Sequence, residues 1–470
     1  MNSRMRRAIR ADYQQVYLLP PSLEDWIGAE HPARFLREFV DALDLRALGF
    51  APHDSAEGGE YFTSELLLKV WLYGYFKKLR STRLLESGCR NEVGLIWLCG
   101  THAPDHNTLW RFFSAHKKAL RALFAQSVQV ALRLDLVGLA LQAIDGTKFQ
   151  AQCSGRQVFD EKFNRQLLAK LQETIAEQEQ ALEEAEREGS PPPAELPSSL
   201  RAAQALREQV VAALEEMDKS ERKHCHPQEP EARRMGCDGR NRFGYNAQAA
   251  VDAKQQVIVA AEVLTQENDQ GLLVPMIEAA RENTGAAVPS AADGGYASHE
   301  QLGMAEARGY EVITPLPASC ARGQEKPFHA SRFVYEAARD VVRCPQGREL
   351  PFMRVRERNG LRWRVYRSTE VCAACPVRAQ CTRDRHGRTI DISPHHQAML
   401  RHREKLLRED AQAQLRQRGS IIEPVFAQIK HNAAFRRFSL RGLEAVRAQW
   451  ALLCTTWNLQ VIYRNWAWAH

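Results

Sequence analysis

The sequence lacks any apolar run long enough to cross a bilayer, which takes about 20 consecutive apolar residues. The nearest approach, Trp450 to Tyr463, is short and carries Asn458 and Gln460, so it is expected as a buried closing helix with no membrane partner. No apolar core follows the basic opening Met1-Asn2-Ser3-Arg4-Met5-Arg6-Arg7, so no secretory signal is expected there. A strong charge of one sign is missing too: 64 Lys plus Arg stand against 57 Asp plus Glu, a net charge of +7. That excess is compatible with nucleic acid without demanding it. The eleven cysteines are an odd number, mostly scattered. Without an export signal they are expected as reduced thiols or metal ligands rather than disulfides.

What is present is a globular composition, 44% hydrophobic and 26% charged, over 470 residues, enough for two or three domains. Residues 1–50 read as an arm followed by a helix with Ala33, Phe35, Leu36, Phe39 and Val40 on one face, punctuated by Pro20, Pro21 and Pro32. Residues 51–135 read as a helical domain. Leu66, Leu67, Val70, Trp71, Tyr73 and Phe76 form a stripe, interleaved with Lys69, Lys77, Lys78, Arg80 and Arg83, and Asp105 opens a further helix. An ordinary bundle and a DNA-binding bundle fit this pattern equally.

Residues 136–470 read differently. Val137 to Ile144 is an apolar strand ending in a turn, Asp145-Gly146-Thr147. An insertion at about 156–236 follows, carrying an antiparallel helical hairpin over 160–219 that is broken at Pro191-Pro192-Pro193. Strands are expected at 243–252 and 256–264, a helix over 271–282, a short strand near Val288 to Tyr296, a helix over 298–308, and a strand near Glu311 to Pro315. A basic, irregular, cysteine-bearing insertion covers 322–395, and the rest is helical. With both insertions removed the order is βββαβαβα. That is a mixed α/β core in which an antiparallel start feeds parallel strands.

Asp145 and Asp293 each end an apolar strand and precede glycine. A lone Asp-Gly is usually a turn. On parallel neighbouring strands, however, the two carboxylates would stand side by side at the sheet's ligand-binding end. Oxygen ligands with no histidine nearby point to Mg²⁺ or Mn²⁺. Glu423 would supply the third acid. It lies in Ser420-Ile421-Ile422-Glu423-Pro424, read as a helix start with Ser420 capping and Pro424 in the first turn. A capping-box acid is the bland alternative for Glu423. Asp252 ends a strand in a hairpin turn, and Asn268-Asp269 is read as a helix cap.

These motifs resemble those of the DDE transposases of bacterial insertion sequences, which carry an RNase H-like catalytic core. Asp145-Gly146-Thr147-Lys148 is similar to the first-acid motif, Ala292-Asp293-Gly294-Gly295-Tyr296 to the second, and Glu423-Pro424-Val425-Phe426 with Lys430 to the third. Gly244-Tyr245-Asn246-Ala247-Gln248 resembles the strand between the first two, and Leu66 through Arg80-Ser81-Thr82-Arg83 to Pro104-Asp105-His106 the N-terminal helical domain. The resemblance implies Mg²⁺-dependent phosphodiester hydrolysis and transesterification by Asp145, Asp293 and Glu423. It also implies DNA partners (terminal inverted repeats and target), a homo-oligomer on DNA, and a cytoplasmic, nucleoid-associated place of work. Lys430, Arg80 and Arg83 are candidate DNA contacts. The family often places Tyr seven and Arg four residues before the glutamate. Here those positions are Arg416 and Gly419, with Arg418 one step away, so Arg416 and Arg418 both stand as candidates for the substrate phosphate. A domesticated or inactive DNA-binding derivative, and a stand-alone RNase H-like nuclease, are the rival functions.

Cys344, Cys372, Cys375 and Cys381, one pair at CxxC spacing, fit a tetrahedral structural Zn²⁺ in an insertion with no evident core of its own. Unliganded thiols and an iron–sulfur cluster are the alternatives. His224-Cys225-His226 with Cys237 is read as no metal site.

Overall fold

The computed structural model describes residues 22–51, 61–155, 157–188, 196–316, 326–358 and 360–466. By internal contacts the chain divides into residues 1–116 with 463–470, and residues 117–462. The division lies one helix earlier than the expected boundary at residue 135. The residues expected as an arm, including Pro20 and Pro21, and the hairpin break at Pro191 to Pro193 lie outside the described residues.

The first unit is helical: α1 Pro32–Asp41, α2 Ser64–Phe76, α3 Thr82–Asn91, α4 Val93–Leu98 and α5 His106–Ala115. α1 buries Ala33, Phe35, Leu36, Phe39 and Val40, the expected face. α2 is not a one-sided stripe. Leu67, Leu68, Val70 to Leu72, Tyr73 and Tyr75 are all buried, so it is the bundle's central helix. Gly74 permits that position, since a Cβ there would lie 2.0 Å from Leu85 Cδ2 of α3. Asp105 caps α5 by accepting from Thr108 N at 2.7 Å.

The second unit opens with α6 Lys117–Arg133 and is built on a mixed sheet. β1 is Gln142–Gln150, β2 Arg233–Cys237, β3 Arg240–Asp252, β4 Ile258–Leu264, β5 Ser290–Ala292 and β6 Val312–Ile313. β1 pairs antiparallel with β3 along its whole length, β3 pairs antiparallel with β2 and β4, and β1–β5 and β5–β6 are parallel. With α9 (Leu273–Thr284) before β5 and α10 (His299–Ala307) after it, the βββαβαβα order holds, with β2 added. The helical hairpin is α7 Glu161–Arg187 and α8 Ser198–Ser220, with Asn164 near one end donating towards Met217 Sδ and Gln204 near the other donating to Glu179.

Three expectations change. First, β1 runs straight through Asp145-Gly146-Thr147, so this Asp-Gly is not a turn. Gly146 is small because a Cβ there would lie 2.1 Å from Gln248 Nε2.

Second, the insertion is not irregular. After β6 it forms an antiparallel sheet of β7 Val334–Glu336, β8 Val341–Arg343, β9 Glu349–Arg358, β10 Leu361–Tyr366 and β11 Ile390–Ile392, with short helices α11 Thr369–Ala373 and α12 Arg378–Cys381. It has its own core of Phe333, Val342, Leu350, Tyr366, Ile390 and Ile392.

Third, beyond α13 (His396–Lys405), the glutamate-bearing helix α14 starts at Glu409 and runs to Ala427. Ser420 and Pro424 are therefore interior, and no capping box exists there. The Ser420 carbonyl, which a proline four residues on cannot serve, accepts from Gln256 Nε2 at 3.1 Å instead. A single π turn, Gln428–Asn432, follows α14.

The closing helix α15, Leu443–Trp466, is largely buried as expected. Asn458 is fully buried and serves both backbone groups of Ile258, accepting from its N at 2.8 Å and donating to its O at 2.9 Å.

Candidate active site

The parallel register of β1 and β5 pairs Gln142 with Ser290, Ala143 with Ala291 and Ile144 with Ala292. Asp145 and Asp293 are the next residue on each strand, so the sheet itself sets them side by side. Asp145 accepts from its neighbour's Gly146 N at 2.8 Å through Oδ1. Asp293 accepts from Gly295 N at 2.8 Å in the turn after β5. Burial lifts the Asp145 carboxyl above its ordinary 3.8; the Gly146 amide and Arg418 pull it back, and the Asp293 charge adds to the rise. Asp252, the other strand-ending aspartate, is different. Its carboxylate takes Gly138 N, Leu139 N and Lys254 N at 2.9, 3.0 and 2.9 Å, which makes it a backbone clamp.

α14 packs across β1, β3, β5 and β6. Arg418 Nη1 donates to Asp145 Oδ2 at 2.9 Å, and its Nη2 lies 4.0 Å from Glu423 Oε1. One guanidinium thus spans the first and third acids. The Glu423 side chain is 69% exposed and lies back over Gly419, where a Cβ would be 2.9 Å from Oε1. The acid set is oxygen-only, and among the described residues its one direct cation is Arg418. No group of three or more His, Cys, Asp or Glu side chains among the described residues is arranged as a metal site.

A fourth acid was misread from sequence. Asp269 caps nothing: α9 begins after Leu272, with no side-chain cap. Its Oδ1 accepts from Asn246 Nδ2 and from Gln248 Nε2, both at 2.8 Å. Tyr296 donates to Gln248 Oε1, and a Cβ on Gly146 would lie 2.9 Å from Asp269 Oδ1. A polar chain of Tyr296, Gln248, Asp269 and Asn246 therefore backs the strand that carries Asp145. The sequence signal was available: two amides two residues apart, Asn246 and Gln248, on one face of an otherwise apolar strand, both fully buried.

The candidate DNA contacts divide. Arg418 is at the acids; Arg416, two residues earlier, is exposed on α14 with no bond to them. Lys430 is engaged: Nζ donates to Lys148 O at 3.4 Å, lies 3.6 Å from Asp238 Oδ1, and sits 5.1 Å above the Phe149 ring. In the first unit Arg83 is exposed at the start of α3, whereas Arg80 is half-buried and burial pulls its pKa down. Lys69 is taken by Asp41 and, at 3.5 Å, Glu65.

Cys344, Cys372, Cys375 and Cys381 come together around one cavity of about 30 Å³, room for a single ion or water. Burial raises the Cys381 pKa, opposed by Arg388, and the other three sulfurs add to the rise. Arg388 N donates to Cys372 Sγ at 3.4 Å. By contrast Cys225 packs with Ala213 and Met217, and His226 lies 4.2 Å from the Phe159 ring, with burial among the causes that lower its pKa to about 4. That cluster is core.

Residues 343–463 match the family model Transposase DDE domain, and residues 21–115 match the Transposase domain model DUF772. These two matches support a DDE transposase of insertion-sequence type. The DDE match contains Glu423 and the four cysteines; Asp145 and Asp293 lie outside both matches. No curated protein and no solved structure matches the chain. No helix of the described residues is long and apolar enough to cross a membrane.

Proposed function

We propose that this transposase cuts phosphodiester bonds at the terminal inverted repeats of its element and joins the ends to target DNA, with Asp145, Asp293 and Glu423 as its catalytic acids. The observation that supports this reading is the register of β1 and β5, which makes Asp145 and Asp293 neighbours beneath the helix that bears Glu423. Mg²⁺ or Mn²⁺ held by these three acids would polarise the attacking water or 3′ hydroxyl and stabilise the leaving oxygen. The acids fit such an ion: Asp145 and Asp293 stand side by side, one guanidinium reaches Asp145 and Glu423, and burial already opposes ionisation of Asp145. Arg418, released from Asp145 when the acids hold a cation, presents a planar fork of donors suited to a substrate phosphate. Asp269, through Asn246 and Gln248, keeps β3 stiff behind Asp145. Lys430 fixes the end of α14 onto β1 before it contacts any DNA.

The same reading assigns element-end binding to the helical domain of residues 51–135 with Arg80 and Arg83, catalysis to residues 136–470, and synapsis of the ends to a homo-oligomer on DNA. It also assigns one structural Zn²⁺ to Cys344, Cys372, Cys375 and Cys381.

The test is cleavage of a duplex carrying the element's own end, with a scrambled duplex as control. Asp145→Asn, Asp293→Asn and Glu423→Gln should each reduce Mg²⁺-dependent cutting about a thousandfold or more while leaving binding intact. Two variants cutting at near wild-type rate would overturn the acid assignment. Equal cutting of both duplexes by the wild type would favour a plain nuclease.

A further inference from the structure

β9 and β10 continue past the rest of their sheet. β8 pairs only with Glu349 to Pro351, and β11 only with Arg364 to Tyr366. Beyond those contacts, Arg356 to Arg358 and Leu361 to Trp363 pair only with each other, as a two-stranded ribbon, and Arg354 and Val355 at its base pair with Val365 and Arg364. Every residue from Pro351 to Arg358 is exposed.

The ribbon's two faces differ in charge. Alternation puts Arg354, Arg356 and Arg358 on one face. Their direct partners across the strands are Val365, Trp363 and Leu361, so that face carries no acid of its own. Glu357, the one acid of the tip, is on the other face, directly opposite Arg362. Among the described residues the arginine face has one ion pair, Arg356 to Asp391 at its base, 3.4 Å. Trp363 lies edge-on to His299 at the start of α10, with ring centroids 5.1 Å apart. The arginine face is therefore the one turned towards the catalytic body.

We propose that this ribbon is a DNA-docking element whose Arg354, Arg356 and Arg358 lie along the backbone of duplex DNA. The inference rests on the reading of this protein as one that works on DNA. Three guanidiniums repeat about every 6.8 Å along the strand, on a face without a compensating acid at its tip, and a two-stranded ribbon has the width a major groove admits. Such a surface complements phosphate.

The experiment measures binding of the full chain to a fluorescein-labelled 30-base-pair duplex of random sequence, across a KCl series. The variant is Arg354→Gln/Arg356→Gln/Arg358→Gln. The control removes the same charge elsewhere, as Arg165→Gln/Arg187→Gln/Arg383→Gln. Each phosphate contact contributes about 0.9 to the slope of log affinity against log salt. The ribbon variant should therefore lose about 2–3 units of slope and bind at least about tenfold more weakly near 100 mM salt, with an unchanged circular dichroism melt. The control should change neither. An unchanged slope in the ribbon variant, or an equal loss in the control, would overturn the proposal, as would the same loss on a single strand alone. A loss of duplex affinity in a chain that never cuts element ends would leave the ribbon standing and count against the proposed function.

Discussion

The acid site and the cysteine site solve one problem by different means. Each gathers side-chain atoms that repel one another when ionised. At the acid site a rigid sheet does the gathering: Asp145 and Asp293 are adjacent because their strands are in register, and Arg418 supplies a resident positive charge. At the cysteine site, turns and two short helices on a six-residue core do it, around a cavity of about 30 Å³. If each site holds the metal proposed for it, removing the first should leave the fold standing and removing the second should not.

The sharpest break of that contrast is Cys372→Ser or Cys375→Ser. If the four thiols hold Zn²⁺, bound zinc should fall from about one per chain to none. Stability of the insertion should fall by about 3–5 kcal/mol, part of the roughly 10–16 kcal/mol such sites release on binding. Metal analysis with denaturant unfolding checks this; a zinc-free wild type with full activity would end it. The corresponding change at the acids, Arg418→Ala, should cost about 1–3 kcal/mol without divalent cation, because a largely buried Asp145 loses its partner. Saturating Mg²⁺ should recover most of that cost. Equal destabilisation with and without Mg²⁺ would mean that Arg418 is not standing in for a cation.

A smaller effect is expected in pH. The folded pKa of Asp145 is raised above 3.8, chiefly by burial. Its contribution to metal-free stability is therefore fully present below the unfolded value and is lost as pH rises through the folded one. Asp145→Asn should flatten that decline as pH rises above about 4 in thermal melts. A wild-type and variant difference that does not vary with pH would contradict it. Smallest is the support of α14: Gln256→Asn keeps a side chain tolerant of the positive φ of 58° there but cannot reach the Ser420 carbonyl. We expect about 0.5–1 kcal/mol and a small loss of Mg²⁺ affinity, read by equilibrium unfolding and by Mg²⁺ titration of cleavage.

Periodicity carried the order of core elements, the helical hairpin and the buried closing helix, because each rests on apolar spacing along a continuous stretch. It misjudged α14, since Ser-x-x-Glu before Pro has every local mark of a helix start. What overrides those marks is non-local: Gln256, distant in sequence, takes the carbonyl that Pro424 frees. The cysteine insertion looked irregular for a related reason. Its strands β7, β8 and β11 are three residues each, too short for alternation to register.

By itself the sequence determined the identities and order of the acids, the cysteine spacing and the mixed α/β layout, because chain order and local hydrophobic pattern set these. The tertiary structure alone decided which charged groups meet. It turned Asp269 from a cap into a partner of Asn246 and Gln248, made Asp252 a backbone clamp, chose Arg418 over Arg416 at Asp145, and tied Lys430 to Asp238. Each of these is a contact of a few ångströms between residues far apart in the chain. Such a contact is set by strand register and helix packing, neither of which leaves a local trace.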